Sequence, residues 1–88
     1  MSDLTAEAWS LAAVAQLRGI EQRCADEDLF CVGYLIPQVE LVEIKFSGQD
    51  AQASLWRDRL SDFVHGNSVA DGLEANDVQT VENLIAQL

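Results

Sequence analysis

Apolar positions recur every three or four residues along most of the chain and divide it into four segments. In the first, Leu4 to about Cys24, the residues Leu4, Leu11, Val14, Leu17 and Ile20 share one broad helical face, with Trp9 near its edge. Ala, Leu and Gln dominate there, and Ser2 or Thr5 can accept from the free N–H groups of the first turn. Asp3 and Glu7 suit the positive end, Arg18 and Arg23 the negative end.

The second segment, Asp26 to Phe46, is ambiguous by composition. Its run LFCVGYLIPQVELVEIKF is rich in β-branched and aromatic residues, and two strands turning at Ile36-Pro37-Gln38 are conceivable. Spacing favours a helix. Phe30–Tyr34, Val32–Ile36 and Leu35–Val39–Val42–Phe46 recur at three or four residues, and strict alternation fails at Leu41-Val42. Asp26, Glu27 and Asp28 load the positive end, and Gly48 stands where a terminating glycine belongs. Pro37 removes one backbone bond, so a kink or a split is expected there.

The third segment begins at Asp50 as N-cap and ends before Gly66-Asn67, with a stripe of Ala53, Trp56, Leu60, Phe63 and Val64 and a wet side of Arg57, Asp58, Arg59 and Asp62. The fourth starts between Glu74 and Asn76 and buries Val78, Val81, Leu84, Ile85 and Leu88. Residues 66–72 read as a surface loop. The expected fold is all-α: a compact bundle of four helices over about residues 4–24, 27–46, 50–65 and 75–88, in a single domain spanning 1–88.

The run DEDLFCVGYL at Asp26–Leu35, then an apolar stretch to SGQD and later DGLEANDVQTVENL, resembles the YfcL family of small gammaproteobacterial proteins. The similarity covers about Cys24 to the C-terminus and rests on Leu29, Phe30, Gly33, Tyr34 and Leu35, with Gly72-Leu73 leading into the last helix. Pro37 departs from the pattern, and Cys31 and Val32 replace smaller residues. The resemblance implies a small all-helical fold, a bacterial cytoplasm and no inherited catalytic residues.

Charge narrows the partners. Fifteen acids against five bases give a net charge of −10 over 88 residues, which repels nucleic-acid phosphates and anionic lipid alike. No apolar run approaches the ~18 residues of a membrane span, and the acidic N-terminus is unlike a signal peptide. Two cysteines, Cys24 and Cys31, imply no disulfide framework and fit a reducing cytosol.

Nothing in the sequence names a reaction. Cys24, Cys31 and His65 are the nearest thing to soft metal ligands, but the cysteines are seven apart and no fourth ligand is evident. His65, ahead of Gly66, reads as a helix C-terminal residue and lacks the partners of a catalytic triad. Asp26-Glu27-Asp28 reads as a first turn; Asp71 to Asp77 has its glycine second, not sixth as a calcium loop requires. Lys45, the one lysine, snorkels beside Phe46. Phosphate-loop and nucleophile-elbow motifs are missing. No catalytic residue, metal or cofactor is therefore expected.

The expected function is non-catalytic protein binding, and the second helix carries the reason. Leu29, Val32, Leu35, Ile36, Val39 and Val42 cover one broad arc, while Phe30, Tyr34 and Leu41 point elsewhere. A helix apolar beyond one stripe is either central in its bundle or covered by another chain. Phe30, Tyr34 and Leu41 are thus the candidate interface, to an unknown partner or in a homodimer that salt would strengthen. The alternative is an acidic nucleic-acid mimic that inhibits a DNA- or RNA-binding protein.

Overall fold

The computed structural model describes residues 3–88, so the candidate Ser2 cap lies outside the described residues. Four helices pack around one apolar core, as an all-α bundle. They are α1 (Ala6–Glu21), α2 (Asp26–Lys45), α3 (Ala53–Ser68) and α4 (Ala75–Ala86). Thr5 caps α1, its Oγ1 accepting from the Ala8 N–H at 3.0 Å. Residues 22–25 turn α2 back along α1, the most extensive of the helix pairs.

Pro37 neither ends nor splits α2, which runs unbroken for 20 residues, and this decides against the hairpin alternative. Gly48, at φ +84°, then turns the chain where a side-chain-bearing residue would be strained. Helix α2 is central: α1, α3 and α4 all pack against it.

Two elements depart from the helical reading. Leu4–Thr5 (β1) is extended, not helical, and pairs antiparallel with Asp50–Ala51 (β2), Leu4 opposite Ala51 and Thr5 opposite Asp50. The Ala6 N–H adds a bond to the Gln49 carbonyl at 3.1 Å, and Trp56 Nε1 donates to the Leu4 carbonyl at 3.0 Å. Asp50 is consequently a strand residue, and Gln52 is the N-cap of α3. These bonds tie the start of the chain to the α2–α3 connection. They fix where both flanking helices begin.

At its other end α3 continues through Gly66 and Asn67 to Ser68. Asn67 Nδ2 donates to the Phe63 carbonyl at 3.0 Å and Ser68 Oγ to the His65 carbonyl at 3.3 Å, so side chains sustain the last turn past the glycine. The connection is then Val69 to Glu74, with Gly72 at φ +75°. Helix α4 starts where expected, and the Glu74 N–H donates to Asp77 Oδ2 at 3.3 Å.

Burial follows the stripes with four corrections. Trp9, read as an edge residue, is core, while Leu11, read as core, is 76% exposed. Leu29 is exposed, and Ala53 faces solvent. Trp9 and Trp56 stack with ring centroids 5.1 Å apart, and Phe46 meets Trp56 edge-on at 6.2 Å. This aromatic cluster joins α1, α3 and the end of α2.

Candidate functional site

The three helices around α2 cover only one arc of it. Cys31, Val32, Leu35, Ile36, Val39 and Val42 are buried on that arc. Phe30, Gly33, Pro37, Leu41 and Ile44, spaced three or four apart, form an outward row in which Phe30 is 58%, Leu41 47% and Ile44 71% exposed. At 1.5 Å per residue the row runs about 21 Å. Of the three candidate interface residues, Phe30 and Leu41 stand in solvent on this row. Centrality in the bundle does not bury them. Ile44 belongs to the same row at Leu41 plus three, a spacing the sequence displays.

Tyr34 differs. It is half-buried, its ring 6.5 Å from that of Phe30, and its hydroxyl donates to Asp71 Oδ2 at 2.6 Å, holding the α3–α4 connection against α2. Burial, the hydrogen bond to Asp71 and that carboxylate's charge push the phenol up from 10 to about 12. A folded-state value above the unfolded one means that protonated Tyr34 stabilises the fold below pH 10. The contribution is lost as pH rises from 10 through about 12. Tyr34 is the only tyrosine, so its ultraviolet titration reads the site directly. The expected midpoint is near 12, and lower in Asp71→Asn; a wild-type midpoint of 10 while the helices remain folded would contradict the contact.

Beside the row, α1 and α2 enclose an open groove of about 330 Å³ lined by Glu7, Ser10, Leu11, Val14, Glu40 and Glu43. Glu40 stands between groove and row, three residues from Pro37 and four from Ile44. The contacts between basic and acidic side chains among the described residues are Arg18–Glu21 at 3.8 Å and His65–Glu82 at 2.8 Å, so no base pairs with Glu7, Glu40 or Glu43. Among the described residues the Glu7 carboxylate accepts one long bond, from Ser47 Oγ at 3.4 Å. Lys45 turns elsewhere, with Nζ 5.6 Å from the Phe46 ring centroid and 5.9 Å from that of Phe63.

The other candidate residues do not converge. Among the described residues no group of three or more His, Cys, Asp and Glu side chains could hold a metal ion. His65 stands in the last turn of α3, as its position ahead of Gly66 suggested, and its Nε2 lies 2.8 Å from the Glu82 carboxylate, which also accepts from Ser61 Oγ at 2.9 Å, clasping α3 to α4. Cys31 is buried with its thiol 3.8 Å from the Asp77 carbonyl, whereas Cys24 is half-exposed. Burial pushes the Cys31 thiol up, and the charges of Asp77 and Asp28 add to the rise. A thiol reagent at neutral pH should therefore modify Cys24 first and Cys31 only as the fold opens. Equal rates in the native protein would contradict this burial. Replacing both by Ala should lower stability by about 1–3 kcal/mol, measured by urea unfolding.

Arg59 is the residue that sequence reasoning misplaced furthest. Assigned to the wet side of α3, it is half-buried, its guanidinium 4.4 Å from the Phe46 ring centroid and 4.8 Å from that of Trp56. Its position depends on Phe46, thirteen residues away and on another element. Compared with known proteins, the chain matches no family model, no curated protein and no solved structure.

Proposed function

We infer that this chain is a non-catalytic protein-binding module, a relative of the YfcL-like proteins acting in the cytoplasm. Its contact surface is the outward side of α2 around Phe30, Tyr34 and Leu41. One observation carries the reading: Phe30, Leu41 and Ile44 stand exposed in a single row on a helix whose opposite arc is fully packed. Scattered surface apolar residues are ordinary, but an aligned row supports an interface. The partner is another protein or a second copy of the chain.

The test is affinity capture from a bacterial lysate at low and high salt, with wild type and with Phe30→Ser/Leu41→Ser. A partner retained at high salt and lost in the variant, with an unchanged melting temperature, supports the reading. Capture that the variant leaves unaltered rejects it. For a second copy, sedimentation should show a dimer strengthened by salt, since screening shortens to about 8 Å at physiological ionic strength. A strict monomer at both salts removes self-association. The fifteen acids, of which few meet a base among the described residues, favour the nucleic-acid mimic as a second reading. Its mark is capture of DNA- or RNA-binding proteins that is lost at high salt and unaffected by the variant.

A further inference from the structure

We propose that the surface formed by the α2 row and the adjoining α1–α2 groove accepts a cationic amphipathic helix, with apolar side chains on Phe30, Leu41, Ile44 and Leu11 and basic side chains toward Glu7, Glu40 and Glu43. The proposal rests on the protein-binding reading above and names the chemistry of the partner.

Three observations select this occupant. The row lies on one unbroken helix and is about 21 Å long, matching some 14 residues of a helix laid along it. Its groove side pairs apolar Leu11 and Val14 with three carboxylates that no base of this chain neutralises among the described residues. An occupant must therefore be apolar on one face and positive beside it. Gly33 is the third. A Cβ built there meets nothing within 4 Å, and the residue is exposed, so no packing inside this chain calls for glycine at a mid-helix position that glycine weakens. A flat spot between Phe30 and Pro37 instead permits close approach of another backbone. A second copy fits less well. It brings a further −10 of charge, and like-charged groups facing one another at an interface are repulsive.

The contact is short, at the small end of specific interfaces, so a dissociation constant of about 1–100 μM is expected. The probe is a fluorescein-labelled 18-residue peptide of Leu and Lys in helical amphipathic order, titrated into the full chain and followed by anisotropy and amide shifts. Its counterpart with Glu for Lys and an oligolysine lacking an apolar face are the controls.

The Leu/Lys peptide should bind one to one and shift amides at Leu11, Phe30, Leu41 and Ile44. Glu40→Lys/Glu43→Lys should weaken binding about tenfold or more, as reversal of interfacial charge does. Asp58→Lys/Asp62→Lys makes the same change of net charge on exposed positions of α3 and should weaken it less than about threefold, through screened long-range attraction alone. Gly33→Ala should raise the melting temperature and weaken the peptide. These opposite signs separate contact from folding damage. Equal weakening by the two charge reversals, or oligolysine binding as well as the peptide, would overturn the proposal. Self-association through Phe30 and Leu41 with no response to the peptide would overturn it too, and leave the protein-binding reading standing. No peptide binding, together with capture unchanged by Phe30→Ser/Leu41→Ser, would end both.

Discussion

Trp56→Ala should cost about 3–5 kcal/mol of stability, the range for emptying a large aromatic from a packed core. Trp56 is fully buried, stacks on Trp9, receives the edge of Phe46 and lies under the Arg59 guanidinium. Its indole N–H is also the donor to the Leu4 carbonyl. The substitution thus opens a cavity and releases the short strand pair that positions the starts of α1 and α3. A domain of this size has roughly 4–13 kcal/mol in total, so much of the population should unfold at moderate temperature. Trp56→Phe keeps most of the packing and loses the hydrogen bond, for about 1–2 kcal/mol. Urea unfolding followed by far-ultraviolet circular dichroism ranks the two. A loss under 1 kcal/mol for the alanine variant would show that the aromatic cluster is not the keystone of this core.

The second large effect has the opposite sign. Pro37→Ala should stabilise the protein by about 1–3 kcal/mol. Proline inside a helix costs up to ~3 kcal/mol relative to alanine, through the lost N–H and the clash with the preceding turn. Pro37 is exposed, so its ring contributes little buried surface to offset that cost. The gain is trimmed by about 0.4–1 kcal/mol, because alanine frees the unfolded chain. A higher urea midpoint at unchanged slope is the expected record. Destabilisation would mean that a bend at Pro37 seats Ile36 and Val39 in the core. If the gain is found, two helix-weakening residues, Gly33 and Pro37, sit side by side in the exposed row at no benefit to this fold. That is the pattern of a surface shaped for something outside the chain.

Much of the fold was legible because burial writes itself into spacing. The arc from Cys31 to Val42 repeats at three and four residues, and this outweighed the strand-like composition around Pro37. Gly48 and the acids at Asp26–Asp28 marked helix ends by local chemistry alone. The strand pair was not legible, since two residues carry no period and Leu4 meets Ala51 across 47 positions. The end of α3 was missed for a different reason: glycine suggested a stop, but Asn67 and Ser68 return hydrogen bonds to the helix and carry it on.

By itself the sequence determined four helices, their approximate ends, their core stripes, the acidity of the surface and the excess of apolar residues on α2. Each is a local property, set by side-chain type and by neighbours within a turn or two. Only the tertiary structure decided which excess residues remain in solvent. Phe30, Tyr34 and Leu41 are alike apolar or aromatic, yet Tyr34 is tied to Asp71 while Phe30 and Leu41 are left outside. Leu11 and Trp9, two residues apart on α1, exchange the roles their spacing suggested. Arg59 lies on aromatic rings and Glu40 on an open groove for the same reason. Exposure depends on where three neighbouring helices end around a fourth, and that is a property of distances between segments remote in sequence.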